Sequence, residues 1–173
     1  MIETKRLILK DFDLADAQAI FDNWSSDPSL ASYTDFLEHF YVEDTVEMLE
    51  LWQAETENRV IRKSVHLKES GEPIGTVDVM DNEQGVAELS YIIGSQFAGH
   101  GYATEACKAL IDYIFKLRKD DKIIVAAMEN NRASLQVIRK LGFKYKETKT
   151  RFIFTQAGIT NIKYYVLENT SND

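Results

Sequence analysis

The sequence predicts an α+β fold built on a largely antiparallel sheet that a single parallel crossover interrupts. Three features lead there. Period-two alternation holds from Val60 to Gly94 over three successive stretches separated by turn-forming runs. A strand, a helix and a short apolar strand then follow one another directly, which makes one crossover unit. No repeat, low-complexity segment or linker divides the 173 residues, so 1–173 reads as one domain.

From the N-terminus, "RLILKDF" (Arg6 to Phe12) alternates and is rich in Leu and Ile, which predicts a short strand. Asp13 is placed as a helix N-cap, and Leu14, Ala17, Ile20, Phe21 and Trp24 behind it recur at helical spacing as far as "SSDPS". "LASYTDFLEHFY" is aromatic and irregular, and "EDTVEMLELWQAETEN" predicts a second helix with Val46, Leu49 and Trp52 on one face. "VIRKSVHLKE", "EPIGTVDVMD" and "GVAELSYIIG" are strands, and the turn runs "SGEP" and "DNEQG" between them favour an antiparallel meander. The third strand enters "GSQFAGHGYATEA", which holds three of the chain's eight glycines. Ala103, Ala106, Cys107, Leu110, Ile114 and Leu117 then form a helical stripe, and "KIIVAAM" is an apolar strand of the kind buried on both faces. "NRASLQVIRKLG" predicts a further helix closed by Gly142, and strands from Phe143 to Thr155 and Ile159 to Glu168, joined through "QAG", end the chain.

Composition narrows the function. A 45% apolar content gives material for a core, and a net charge of −8 with scattered Lys and Arg argues against a nucleic-acid partner while mildly favouring a cationic one such as an amine. One cysteine excludes an internal disulfide framework, and "MIETKRLILK" lacks a signal-like apolar run, so a cytoplasmic setting without a membrane partner is expected. His39, His66, His100 and Cys107 have no metal-ligand spacing, and Cys107 falls on the apolar stripe of its helix. The terminal hairpin offers a docking edge compatible with a homodimer.

Glycines at a strand-to-helix junction leave backbone N–H groups unpaired at the positive end of a helix, an anion site suited to phosphate. A P-loop is excluded because no Gly-Lys-Ser or Gly-Lys-Thr occurs. A Rossmann fingerprint is met only at Gly99 and Gly101 and has antiparallel strands before it, which is the wrong context. A tight turn whose glycines serve sterics alone stays open.

Gln96-x-x-Gly99-x-Gly101-Tyr102-Ala103 is similar to the Q/R-x-x-G-x-G/A signature of GNAT-superfamily acetyltransferases, and "AELSYIIGSQFAGHGYATEA" resembles the subgroup containing ribosomal-protein N-terminal acetyltransferases. "TKRLILKDFDLADAQAIFDNWSSDP", "PIGTVDV" and "NNRASLQVIRKLGFK" resemble further segments of that subgroup, in its order and over most of the chain. The resemblance implies a GNAT-like sheet with helices on both faces, whose splayed central strands admit the pantetheine arm of acetyl-CoA. It implies main-chain groups of Ile92, Ile93 and Gly94 on that arm, and amides of Gly99, His100, Gly101, Tyr102, Ala103 and Thr104 on the pyrophosphate behind Gln96. A hydrogen bond from Asn131 to the arm is implied as well. Ala98 and His100 stand where the subgroup often has basic residues, so phosphate binding would rest more on amides.

The implied reaction is acetyl transfer to a primary amine, above all a protein N-terminus. Polyamine or aminoglycoside acceptors and a non-catalytic acetyl-CoA-binding module are the alternatives. Only a deprotonated amine attacks a thioester, so a base is needed, and Glu88 matches a recurrent acid of the subgroup. Alternation leaves an outward, solvated Glu88 open. A backbone N–H near Ile93 to Gly94 would meet the oxyanion. The tyrosine that many GNAT enzymes place seven residues after the pantetheine-binding Asn is here Ile138. Ser134, which the subgroup shares, could present its hydroxyl to the cofactor sulfur instead, or simply satisfy the helix start. Tyr164 and Tyr165 are reserve donors, of which alternation lets only one face the site. Glu129 beside the cleft would attract a cation or merely end its strand.

Overall fold

A computed structural model describes residues 1–55, 60–118, 121–153 and 158–170. Among the described residues eight strands form one sheet in the order β1-β2-β3-β4-β5-β6-β8-β7. A two-residue β1 (Ile2–Glu3), which alternation is too short to reveal, pairs with β2 (Leu7–Lys10). The strand expected from Arg6 to Phe12 is thus shorter, because β3 (Val60–Leu67) supports it only from Leu7↔Leu67 to Lys10↔Ser64. β4 (Pro73–Asp81) and β5 (Ala87–Ile93) complete the expected meander. β6 (Lys122–Met128) lies parallel to β5, and β8 (Gly158–Glu168) inserts between β6 and the edge strand β7 (Lys144–Ile153). The "QAG" junction and the last residues of the predicted second helix lie largely outside the described residues.

The first helix differs most from expectation. Asp13 caps it, accepting from the Ala15 amide, but a 3-10 turn (Leu14–Asp16), α1 (Ala17–Ile20) and a π turn (Phe21–Ser25) replace one regular helix. The wide turn keeps Trp24 buried and brings the Asn23 carbonyl against Gly94, where a Cβ would lie 2.2 Å from its oxygen. α2 (Val42–Ala54) is begun by Asp44, whose carboxylate accepts from the Phe40 and Tyr41 amides, both at 3.0 Å.

Helices cover both faces. Odd residues of the central strands, among them Val77, Val79 and Leu89, pack with Leu110 and Ile114 of α3 (Tyr102–Arg118) and Ile138 of α4 (Arg132–Lys140). Apart from Ile74 at the start of β4, which joins that core, even residues turn the other way, where Ile92 packs against Ala17, Ile20, Trp24 and Leu49. No helix is long and apolar enough to cross a membrane among the described residues.

Candidate active site

The site begins as a failure of strand pairing. β5 stays paired with β4 as far as Gly75↔Ile93, but its parallel pairing with β6 ends at Leu89↔Val125. In an antiparallel ladder alternate residues send both main-chain groups to the same neighbour. The Gly94 amide donates to the Ile74 carbonyl at 2.9 Å, and the Ile92 carbonyl presses on Gly75, where a Cβ would lie 2.0 Å away. Ile92 and Gly94 therefore address β4, while Tyr91 and Ile93 address the gap. This corrects the expected trio: of Ile92, Ile93 and Gly94, only Ile93 offers its main chain to the opening, and Tyr91 joins it.

The gap leads to the glycine turn. Gly99 and Gly101 have φ of +80° and +81°, and a Cβ on Gly99 would meet open space, so backbone conformation rather than crowding calls for glycine. The first helical bond runs from the Glu105 amide to the Gly101 carbonyl, which leaves the amides of Tyr102, Ala103 and Thr104 without intrahelical acceptors. Gly99, Gly101 and these three residues line the cleft.

Two side chains of the signature turn away from it. Gln96 Nε2 donates to the main-chain and side-chain oxygens of Asn23, at 3.3 and 3.2 Å, because the π turn presents both to it. His100 folds back, with Nδ1 at 2.9 Å from the Ala98 carbonyl and its ring stacked on Tyr102. Gln96 thus anchors the turn, and His100 can contribute only its main chain. Arg6 braces the turn from outside the cleft lining, with its charge already paired. It pairs with Glu105 through Nε at 2.7 Å, donates to the His100 carbonyl at 2.9 Å and lies over the Tyr102 ring. Nothing local in the sequence marks Arg6, whose carboxylate partner is 99 residues away.

On the α1–α2 face, Glu88 lines the cleft and is half-buried. Burial raises its carboxyl pKa, and Arg151 works against that shift. Asp78 and Ser90, which the sequence reading passes over, sit opposite one another on β4 and β5. Asp78 is 8% exposed and accepts from Ser90 Oγ at 2.5 Å and Arg62 Nε at 3.3 Å, and burial raises its pKa too. Tyr164 faces this side of the cleft, whereas Tyr165 packs with the α3 core and against Tyr145.

On the α3–α4 face, Asn131 caps α4 by accepting from the Ser134 amide at 3.1 Å, and both residues line the cleft. Ser134 Oγ lies 2.6 Å from Tyr91 Oη. Ile138 is 1% exposed within the core. Cys107 is buried, which pushes its thiol pKa up, and Glu129 accepts from Asn161 Nδ2 at 3.0 Å.

Both walls belong to one cleft of about 1210 Å³ that runs from the glycine turn through the strand gap to β7. A family profile described as an acetyltransferase (GNAT) domain matches residues 6–144. The chain belongs to the GNAT acetyltransferase family. An uncharacterized N-acetyltransferase, p20, from Bacillus licheniformis is 32% identical over 162 residues, covering 87% of this chain and 89% of that protein. Among solved GNAT structures, ribosomal-protein-S5-alanine acetyltransferase from Vibrio fischeri superposes with a TM-score of 0.83 at 20% identity, over 98% of this chain and 96% of that one. Spermidine N-acetyltransferase from Vibrio cholerae, solved with CoA and spermine, gives 0.79 at 20% identity over 95% and 96%. The GNAT fold expected from the sequence is therefore the fold observed.

Proposed function

We propose that this protein transfers the acetyl group of acetyl-CoA to the α-amine of a protein N-terminus. The strand gap beyond Leu89, ending on the amides of the glycine turn, carries the reading. Amides of Gly99 to Thr104 suit a diphosphate, with Lys140 of the cleft lining as a further cation. Tyr91 and Ile93 offer main-chain groups to an extended amide-bearing arm, and the side-chain NH₂ of Asn131 is free of the cap its oxygen makes.

The α-amine of a polypeptide has a pKa of about 8, so much of it is protonated at neutral pH. Glu88 takes the proton directly or through water, helped by the burial that makes its carboxylate more basic. The amine then attacks the thioester carbonyl, and the Ile93 N–H is the donor for the oxyanion.

The acceptor end of the cleft is bipolar, which favours a peptide over a polyamine. Arg151 of β7 lines it and acts on Glu88, Lys146 and Lys149 of the same strand are paired to Glu147 between them, and Asp35 and Glu83 line it as well. A polyamine brings further positive charge up to Arg151. An N-terminal amine can sit at Glu88 with neutral peptide groups behind it.

Calorimetry with acetyl-CoA, followed by thiol release with peptides differing in their first residue and with spermidine, tests the proposal. Binding is expected, with turnover on peptides. Turnover on spermidine with every peptide inert would show a small-molecule acetyltransferase. Binding with no thiol release for any amine would leave a binding module.

A further inference from the structure

A planar peptide bond points its carbonyl and its N–H in opposite directions, so whatever holds the oxygen also aims the amide. In the glycine turn the peptide between His100 and Gly101 is held by its oxygen, which accepts from Arg6 Nη1 at 2.9 Å. Neither Arg6 nor His100 lines the cleft, whereas Gly101 does. The carbonyl is therefore drawn outward, and the Gly101 N–H faces inward. Among the described residues that amide has no acceptor.

The peptide needs a holder because of the glycine it belongs to. Gly101 has φ of +81°, and without a Cβ it accepts either sign of φ. Rotation of this peptide as a unit would turn its carbonyl into the cleft and its N–H out. The Ala98 amide ties the start of the turn to the Ser95 carbonyl at 3.1 Å, and the Gly101 carbonyl ties its end by accepting from the Glu105 amide at 3.1 Å. Neither tie reaches the peptide between His100 and Gly101. Arg6 does.

Arg6 is itself held. Its Nε donates to Glu105 Oε2 at 2.7 Å, its Nη2 pairs with the same oxygen at 2.7 Å, and its guanidinium carbon lies 4.6 Å from the centre of the Tyr102 ring. Glu105 Oε1 accepts from the Arg6 amide at 2.8 Å and from Thr4 Oγ1 at 2.6 Å. One carboxylate of α3 thus docks the chain ahead of β2 with one oxygen and orients the guanidinium with the other. A guanidinium spreads its donors over three nitrogens and can hold both Glu105 and the His100 carbonyl, whereas lysine has all its donors on one atom.

We propose that Arg6 is a positioning residue for the diphosphate of coenzyme A, locking the His100–Gly101 peptide so that the Gly101 N–H is aimed at that group before it arrives. The inference rests on the reading above that the glycine turn takes the diphosphate. Because the charge of Arg6 is paired with Glu105, its contribution is orientation. A released peptide populates both orientations, and in one of them a carbonyl oxygen faces the phosphates.

Calorimetry with coenzyme A, and with pantetheine, which lacks the diphosphate, tests this in the wild type, Arg6→Lys and Arg6→Met. Both changes keep the Arg6 amide and Thr4 on Glu105 Oε1, so melting temperatures should stay near wild type. Coenzyme A should bind about ten- to a hundred-fold more weakly in both variants, the range for losing a hydrogen bond to a charged group. Pantetheine affinity should be unchanged, and in turnover the loss should fall on KM for acetyl-CoA rather than on kcat. Wild-type affinity for coenzyme A in either variant overturns the proposal, and in Arg6→Lys it would show that a cation alone suffices. Equal losses for coenzyme A and pantetheine overturn it too, because a general disturbance of the cleft then explains both. A wild-type protein that binds the two ligands equally overturns the reading of the turn itself.

Discussion

Replacing Arg62 with methionine tests what a buried carboxylate costs once its cation is gone, and it also releases the more exposed Glu55, whose Oε2 accepts from Arg62 Nη1 at 2.7 Å. The Arg62 and Asp78 side chains are 15% and 11% exposed, and Asp78 has Arg62 Nε at 3.3 Å and Ser90 Oγ at 2.5 Å. Methionine keeps an apolar stem against the Trp52 ring, over which the guanidinium lies at 4.3 Å, and removes the charge. Breaking such a pair typically costs about 3–5 kcal/mol. Asp78 limits that loss by taking up a proton, at about 1.4 kcal/mol for each pH unit above the ordinary aspartate pKa of about 3.9. The ceiling is therefore about 4 kcal/mol at pH 7 and about 1.5 kcal/mol at pH 5. Burial raises the folded-state pKa, so stability is fullest at low pH and declines as pH rises and the unfolded chain alone ionises. Urea unfolding at both pH values should give a loss below about 4 kcal/mol at pH 7, shrinking to below about 1.5 kcal/mol at pH 5. Adding Asp78→Asn should restore most of it. An equal loss at the two pH values would refute the reasoning and leave packing on Trp52 and the pair with Glu55 as what Arg62 contributes.

Glu88 works as a base only when ionised, so wild-type kcat/KM should fall as pH drops through its raised pKa. Glu88→Gln should flatten that acid limb and lower kcat by about 10²–10⁴, and an unaltered limb removes Glu88 from the chemistry. Gly94→Ala puts a Cβ 2.2 Å from the Asn23 carbonyl oxygen and 3.1 Å from Trp24 Cβ, so backbone must move. The cost should be about 1–3 kcal/mol in urea unfolding, and wild-type stability would mean the π turn yields freely. His66 is buried, with Nε2 at 2.9 Å from Ser64 Oγ, Nδ1 at 3.0 Å from the Gly71 carbonyl, and Lys10 and Asp16 nearby. Burial lowers its pKa, so its contribution is full above the ordinary value of about 6.5 and is lost as pH falls below it. His66→Gln should remove that acid-side loss in urea unfolding, and an identical pH dependence in the variant would count against it.

What the sequence disclosed and what it hid divide along a physical line. The meander and the crossover were legible because period-two alternation and turn residues are local. The glycine turn was legible because left-handed backbone at two nearby positions restricts residue choice. Insertion of β8 between β6 and β7 depends on pairing between distant segments, and no local pattern encodes it. Phe21 to Ser25 keeps helical spacing whether its turn is α or π, so only the contact with Gly94 distinguishes them. Nothing local marks Tyr91, whose hydroxyl partner lies 43 residues further on. Glu88 and Ser134 drew notice because they match positions of the resembling acetyltransferase subgroup, whereas Asp78 and Ser90 became visible only once strand register set them face to face.

The gap itself follows from those close approaches. Two glycines without side chains let β5 be gripped from one side: Gly75 admits the Ile92 carbonyl, and Gly94 admits the Asn23 carbonyl of the π turn. Asn23 Nδ2 also donates to the Pro73 carbonyl at 3.0 Å, so the π turn is bound to β4 as well as to β5. The far end of β5 is thereby fixed to β4 and α1. β6 follows β5 for three residue pairs and then continues along β8, with which it pairs over its whole length. Each strand is committed to its outer neighbour, so the opening between them is set by the scaffold before any ligand arrives. Preformed main-chain groups on Tyr91 and Ile93 then bind without the entropic cost of ordering a loop. On this argument a Cβ at Gly94 should weaken acetyl-CoA binding as well as stability, although Gly94 sends its own amide the other way.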